Sequence, residues 1–199
     1  MPLSLLIIAV GIKSNEPALI ENLRASIFDT YQRVKPRPYG NTQLRIVAID
    51  EQSLQAAGQW PWERRTLATL VDRLREMGAA AIGFDMLFLE PDRTSPTLML
   101  QRLPDMPVLA ELKSHVAALP DYDLVLAEAV GRGRVTLGFV LTGQGGERPT
   151  ERIGGMVLSG PDPSERFNRF AGSMSNLAPI AAAAAGGGAL NVIPDADGV

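Results

Sequence analysis

The sequence predicts an α/β fold: a mainly parallel sheet of βαβ units with helices on both faces, preceded by an N-terminal helix. Two apolar runs of strand length, residues 44–49 and 79–89, have the composition of buried strands. Between them, apolar residues recur with the period of a helix from residue 67 to residue 77. A strand, a helix and a strand of these lengths form a βαβ unit, whose right-handed crossover makes the strands parallel.

The composition is that of one globular domain. The chain has 199 residues, of which 46% are hydrophobic and 21% charged, so it has enough apolar residues for a core. The formal net charge of −3 supplies no positive field for phosphates, so we expect no nucleic-acid partner. The absence of cysteine excludes disulfides and thiolate chemistry. The single histidine, His115, has no second imidazole with which to bind a metal, and we interpret it as a surface residue of a helix.

The chain starts with an apolar run from Pro2 to Ile12. As a helix this run would be about 15 to 20 Å long, too short to cross a bilayer, and it lacks the basic start and the cleavage site of a signal peptide. We interpret residues 1–13 as a truncated membrane-anchor remnant and residues 14–199 as the globular domain, truncated at its C-terminus. A buried helix or strand is the alternative, since either would bury such a run equally well.

The elements around the βαβ unit follow from local patterns. Apolar residues at helical spacing predict a helix over residues 17–31, and Pro36 and Pro38 end it because proline lacks a backbone donor. The first strand ends in Asp50-Glu51, which places two carboxylates at its C-terminal edge. Gly78 stands where the central helix is expected to end.

The second half of the chain repeats the alternation of helix and strand, and glycines 186–188 are expected to close its last helix. The predicted elements are a helix over residues 108–119 inside an insertion at 94–121, a helix from Asp121 or Asp123 to Val130, a strand at 135–141, a helix near 179–185 capped by Asn176, and a strand at 189–193.

Several spaced motifs occur in one order along the chain. They are Asp50 at the end of a strand, Gly58-Gln59-Trp60-Pro61-Trp62, Arg64-Arg65, Phe84-Asp85, Glu90-Pro91-Asp92-Arg93, the helix from Asp123 to Ala127, Asn191, and Asp195-Ala196-Asp197-Gly198-Val199. The set resembles the CHASE2 family over roughly residues 16 to 199, and several motifs in the right order are far more specific than any one of them.

The resemblance implies an extracytoplasmic sensor domain of a bacterial transmembrane receptor, a domain without catalytic residues of its own. It implies a place at the cell inner membrane, facing the periplasm, with membrane contact through flanking helices. We expect the full-length parent to be a class III adenylate/guanylate cyclase, a frequent output of the family; a histidine or Ser/Thr kinase is the alternative. We also expect a homodimer, because such outputs generally work as dimers and the helix at 17–31 has an apolar face.

The same motifs carry the candidate ligand site. If the two strands of the βαβ unit are adjacent, their carboxylates collect at the edge where open α/β sheets bind ligands. The tryptophans would wall a pocket in which charged groups hold an unknown polar small molecule or a hard cation. The predicted ligand-binding residues are Asp50, Glu51, Trp60, Trp62, Arg64, Asp85, Glu90, Asp92 and Arg93. A purely structural role is the alternative, in which the aspartates cap turns and pair with arginines while the tryptophans cover the core.

Carboxylates at strand ends also raise the alternative of a metal-dependent hydrolase. A haloacid-dehalogenase-like strand requires Asp-x-Asp, whereas this chain has Asp50-Glu51-Gln52, and none of its lysines follows a predicted strand. We rank this class below a sensor that binds a ligand and below a sensor that acts only through assembly. The sequence therefore predicts no catalytic residue, no metal and no cofactor.

Overall fold

The computed structural model describes residues 18–38, 40, 42–104, 106–107, 110–146, 148–155, 157, 159–162, 164 and 167–192. The chain divides into two compact units, Met1–Ala48 with Val192–Val199, and Ile49–Asn191. The predicted anchor remnant at residues 1–13 and the motif at 195–199 lie outside the described residues. In the described part, no helix combines the length and the apolar character that crossing a membrane requires.

The first unit contains one long helix, α1, which runs from Ala18 to Val34. Arg33 lies in its last turn, where a cation interacts favourably with the helix dipole. Its large apolar side chains remain solvent-exposed at helical spacing; they are Ile20, Leu23, Ile27, Phe28, Tyr31 and Val34. The helix therefore presents an apolar stripe that the fold of this unit does not bury.

The prediction of a first strand at residues 44–49 is wrong, because these residues have no regular secondary structure. Leu44, Ile46 and Val47 are exposed in spite of their strand-like composition. β-Branched residues favour a strand only where a neighbouring strand and a core complete their contacts. The predicted βαβ unit therefore does not begin here.

The second unit contains the sheet and the other described helices. Its elements in chain order are α2 (Glu51–Ala57), α3 (Arg64–Glu76), β1 (Ile82–Phe84), α4 (Pro96–Arg102), α5 (Ala110–Ala117), α6 (Tyr122–Gly131), β2 (Val135–Thr142), β3 (Gly172–Met174), α7 (Ala178–Ala183) and β4 (Gly186–Ala189). The helices predicted around residues 67–77, 108–119, 123–130 and 179–185 correspond to α3, α5, α6 and α7, and the strand predicted at 135–141 corresponds to β2.

The sheet is built around β2, the longest of the four strands. β1 pairs with its first half in parallel, with Ile82 opposite Val135, and β4 pairs with it in parallel along the other edge. β3 pairs with the second half of β2 in antiparallel orientation, with Val140 opposite Met174. The prediction of an α/β fold is thereby confirmed, with a small mixed sheet; the presence of helices on both faces stays a prediction.

The core lies between β2 and three helices, α3, α6 and α7. Val135 and Leu137 of β2 are fully buried against it, and Phe88 enters it from the segment after β1. The helices contribute Leu67, Ala68, Val71, Leu126, Ala127, Ala129, Val130 and Ile180. Each fully buried leucine, valine, isoleucine or phenylalanine contributes about 1.5–3 kcal/mol relative to exposure.

Three local predictions are corrected by the structure. Asp50 is the N-cap residue of α2 and does not end a strand. Glycines 186–188, expected to close a helix, form most of β4. A Cβ at Gly187 would lie 2.5 Å from Cβ of Glu151, so only glycine permits this close approach. Asn176 does not cap α7, whose N-cap residue is Leu177; its side chain forms a buried network instead.

Candidate functional site

The segment after β1 folds back over the start of α3 and meets Arg64 there. The Arg64 backbone N–H donates to Oδ2 of Asp92 at 2.6 Å, so an aspartate distant in sequence caps the first turn of α3. Its guanidinium donates through Nε to Oδ1 of Asp123 at 3.3 Å and through Nη2 to the carbonyl of Glu90 at 3.1 Å. The guanidinium carbon also lies 4.6 Å from the centre of the Phe88 ring, within cation–π range.

The two aspartates of this cluster are buried and satisfied. Asp123 Oδ2 accepts a hydrogen bond from the Asp92 backbone N–H at 2.9 Å, and Asp92 Oδ1 accepts from the Thr94 backbone N–H and from its hydroxyl. Both residues are 7% exposed. Each of the four carboxylate oxygens of Asp92 and Asp123 already accepts a hydrogen bond, and a buried polar cluster that is fully hydrogen-bonded in this way is held in one arrangement. We call Arg64, Asp92 and Asp123 the Arg64 network.

The environment of Asp123 perturbs its titration. Burial raises the pKa of the Asp123 carboxyl, and the Asp92 N–H and the positive charge of Arg64 partly oppose that rise. The negative charges of Asp121 and Asp92 act in the same direction as burial. Burial is the largest of these effects, so protonation of Asp123 is easier in the folded chain than in the unfolded chain.

The two tryptophans lie beside the Arg64 network. Their ring centres are 5.9 Å apart in an edge-to-face arrangement. Trp62 packs against the core and donates its indole N–H to the Gly58 carbonyl at 2.8 Å, whereas Trp60 remains 42% exposed. Trp62 is therefore held in place on both its apolar and its polar side.

Part of the predicted site forms a pocket with a volume of about 300 Å³. The predicted residues that line it are Trp62, Arg64, Glu90, Asp92 and Arg93, and they are joined by Pro61, Pro91 and Thr94. Arg93 is exposed and forms no ion pair with any residue in the described ranges. The pocket is thus lined by the ring of Trp62, by the hydrogen-bonded side chains of Arg64 and Asp92, and by the exposed guanidinium of Arg93.

The sequence matches the CHASE2 domain family over residues 3–199, essentially the whole chain. The chain belongs to the CHASE2 family. CHASE2 domains are extracytoplasmic sensor domains and not catalytic ones. The resemblance inferred from the spaced motifs is thereby confirmed. No curated protein and no solved structure matches the chain.

The remaining predicted residues of this CHASE2 domain do not line the pocket. Asp50 and Glu51 begin α2 and are exposed. The backbone N–H and the hydroxyl of Ser53 donate to Asp50, and these hydrogen bonds lower the pKa of the Asp50 carboxyl. Asp85 is exposed after β1, and Trp60 contacts the site through Trp62. For Asp50 the local capping role considered from the sequence is what the structure shows.

Sequence reasoning missed Asp123 as a member of the site. Its signal was present, because Asp123 shares the buried face of α6 with Leu126, Ala127 and Val130 at helical spacing. A carboxylate on the apolar face of a helix requires a buried partner. Its hydrogen-bond partners lie 31 and 59 residues away in the chain. The sequence pattern therefore indicates that Asp123 requires a buried partner, but it does not indicate which residue that partner is.

The described part of the CHASE2 domain contains no group of three or more histidine, aspartate or glutamate side chains placed to hold a metal ion. The carboxylates of Asp92 and Asp123 are instead directed at backbone N–H groups, at Thr94 and at Arg64. Among the described residues, the pocket is lined by the ring of Trp62 and by the side chains of Arg64 and Arg93.

Proposed function

We propose that this CHASE2 domain is the signal-receiving part of a bacterial transmembrane receptor at the inner membrane, with the domain facing the periplasm and regulating a class III adenylate/guanylate cyclase. A histidine or Ser/Thr kinase is the alternative output. The observation that carries the sensor proposal is the pocket of about 300 Å³ over the Arg64 network, together with the family membership. Pockets of this size accept small polar molecules.

The chemistry of the pocket supports a ligand with an anionic group. Arg93 contributes an exposed guanidinium, which forms paired hydrogen bonds with carboxylates and phosphates. Trp62 offers an immobilised aromatic face, and the Arg64 network leaves few groups to reorganise when a ligand binds. A preorganised site of this kind loses little free energy to ordering on binding.

The helices α3 and α6 connect the pocket to the rest of this compact unit. Arg64 is the first residue of α3, and α3 packs against α6, which carries Asp123. A ligand that binds one arrangement of this helix pair better than another shifts the population between them. We propose that such a shift, passed on through the receptor, is the signal.

Treatment of the domain with its ligand is expected to raise the melting temperature. At about 100 times its Kd, a ligand that binds only the folded state raises Tm by about 5–10 °C for a chain of this size. We would screen organic acids, sugar phosphates and nucleotides by differential scanning fluorimetry. Arg93→Ala should abolish the shift, while Asp50→Ala and Asp85→Ala, which change exposed acids that do not line the pocket, should retain it.

Loss of the shift in Asp50→Ala and Asp85→Ala but not in Arg93→Ala would contradict the pocket as defined by its lining residues. The broader site predicted from the sequence would then be favoured. If none of these compounds stabilises the wild-type chain, the second candidate function applies, a domain that signals through assembly alone.

The second candidate is favoured by α1, whose exposed apolar stripe includes Leu23 and Ile27. We propose a homodimer in which this stripe packs on its copy, since the apolar positions recur at coiled-coil spacing. Sedimentation velocity should show a dimer for the wild-type chain and a monomer for Ile27→Arg, because a buried guanidinium without a partner opposes association. Ser26→Arg, an exposed polar position on the same helix, is the control and should remain dimeric. A monomeric wild type would contradict this interface.

A further inference from the structure

Positive and negative side chains line the pocket over the Arg64 network in equal number. They are the arginines Arg64 and Arg93 and the acids Glu90 and Asp92. Arg64 and Asp92 are engaged within the protein, because the Arg64 guanidinium donates to Asp123 and Asp92 accepts from the Arg64 backbone N–H. One positive and one negative side chain, those of Arg93 and Glu90, therefore remain for a ligand.

Glu90 and Arg93 belong to one short segment whose backbone is held at two points. The Glu90 carbonyl accepts from Nη2 of Arg64 at 3.1 Å, and the Asp92 backbone N–H donates to Oδ2 of Asp123 at 2.9 Å. The Glu90 and Arg93 side chains are exposed, and within the described ranges neither forms an ion pair, with each other or with another residue. A ligand in the pocket that they both line can therefore contact both charges.

The hydrogen-bond acceptors at the pocket favour a cation without N–H groups. Both carboxylate oxygens of Asp92 already accept hydrogen bonds, from the Arg64 backbone and from Thr94, and the Glu90 carbonyl accepts from Arg64. A primary ammonium group has three N–H donors, each of which requires an acceptor. A quaternary ammonium group has none, and it is stabilised by a nearby negative charge and by aromatic surface.

Trp62 supplies aromatic surface at the pocket. It lines the pocket together with Pro61 and Pro91, which add apolar surface for methyl groups. Its indole N–H donates to the Gly58 carbonyl at 2.8 Å and its ring packs against the core, so the ring is held in place. Tryptophan is the best aromatic partner of a cation, and quaternary ammonium groups are recognised by such rings.

We propose that the ligand of this pocket is a small zwitterion that carries a quaternary ammonium group and a carboxylate. The carboxylate pairs with the Arg93 guanidinium, and the ammonium methyl groups contact Trp62 near the carboxylate of Glu90. The volume of about 300 Å³ lies at the lower end of the range for ligand pockets, which favours a small molecule. The inference rests on the proposed sensor function of this pocket and names its ligand class.

Isothermal titration calorimetry of the full chain compares probes of nearly equal size. Glycine betaine carries both charged groups, tert-butylacetate has the same shape with carbon in place of the charged nitrogen, and choline lacks the carboxylate. We expect glycine betaine to bind, and the other two to bind at least about fivefold more weakly, the loss expected for one charge interaction at a solvated site. Glycine, with its primary ammonium group, should also bind more weakly. Equal binding of any of these three probes overturns the proposal, and so does the absence of binding by glycine betaine.

Two variants separate the contributions of the two charges. Glu90→Gln should weaken glycine betaine binding at least about fivefold without weakening that of tert-butylacetate, because only glycine betaine carries the positive charge that Glu90 attracts. Arg93→Ala should weaken both. Glu111→Gln, which changes an exposed glutamate that does not line the pocket, is the control and should leave both unchanged. Unchanged binding of glycine betaine in Glu90→Gln overturns the proposal.

Fluorescence locates the bound ammonium group. The chain has two tryptophans, so Trp60→Phe leaves Trp62 as the only one, and saturation with glycine betaine should change its emission. Unchanged emission overturns the contact with Trp62. If tert-butylacetate binds as tightly as glycine betaine and Arg93→Ala loses both, the zwitterion is excluded while the proposed pocket for an anionic ligand stands. If Arg93→Ala binds glycine betaine as the wild type does, the pocket itself is contradicted.

Discussion

Replacement of Asn176 by alanine is expected to lower the free energy of unfolding by about 3–5 kcal/mol, because each buried polar group left without a partner costs about 1–3 kcal/mol. The substitution removes the partners of three buried groups: the Phe88 N–H, the Gly138 carbonyl and the Glu151 carboxylate. Asn176, Phe88 and Glu151 are each no more than 4% exposed, so bulk water does not reach these groups directly. Urea unfolding followed by tryptophan fluorescence measures the loss.

Asn168→Ala is the matched control, because Asn168 is exposed and the same amide is removed. Its free energy of unfolding should stay within about 0.5 kcal/mol of the wild type. A loss of less than about 1 kcal/mol in Asn176→Ala, the net value of one ordinary hydrogen bond, would show that the network around Asn176 does not hold the sheet together.

Asp123→Ala is expected to lower the free energy of unfolding by about 2–4 kcal/mol, because removal of one member of a buried ion pair leaves the other charge without compensation. Arg64 and Asp123 have side chains that are 12% and 10% exposed, so water screens this pair little. The same change leaves the backbone N–H of Asp92 without its acceptor. Asp85→Ala, which changes an exposed aspartate, is the control and should be nearly neutral.

The pH dependence of the Asp123 contribution has a defined sign. Burial raises the pKa of the Asp123 carboxyl in the folded chain, so the folded state retains this proton to a higher pH than the unfolded state does. The stabilising contribution is complete below the ordinary pKa of about 4 and is lost as the pH rises through the raised value. The stability of the wild type relative to Asp123→Asn should therefore fall as the pH is increased through the acid range.

Urea titrations of both proteins at several pH values measure this difference. A wild type that gains stability relative to Asp123→Asn as the pH rises would mean that the charge of Arg64 outweighs burial. Asp50 provides an internal contrast, since its hydrogen bonds with Ser53 lower the pKa of the Asp50 carboxyl. Its contribution is present above the ordinary pKa and is lost as the pH falls, the opposite direction.

Local patterns sufficed for the elements whose apolar residues recur over several turns or along a full strand. The helix from Arg64 to Glu76 and the strand from Val135 to Thr142 each bury apolar side chains. Leu67 and Val71 are four residues apart, as on one face of a helix, and Val135 and Leu137 are two residues apart, as on one face of a strand. The ordered motifs from Asp50 to Val199 indicated the CHASE2 family from the sequence alone, and the family match confirms it.

Where a segment has no such pattern, its secondary structure depends on the segments that lie next to it in the folded chain. Glycines 186–188 form part of a strand because β2 supplies the hydrogen bonds, although glycine alone disfavours a strand. Residues 44–49 have a strand-like composition but no regular structure. Strand formation depends on a partner strand, and the sequence of a short segment does not indicate where in the fold that partner strand lies.

The candidate sites show the same division. The sequence by itself determined which residue types were available: Trp62, Arg64, Asp92 and Arg93 were predicted together and line one pocket. The tertiary structure decided that Asp50 caps a helix and that Asp123 completes the buried ion pair. It also decided that Asn176 joins partners 25, 38 and 88 residues away. Hydrogen bonds between buried groups depend on distances of a few ångströms in the folded chain, and such distances are set by the packing of the whole core.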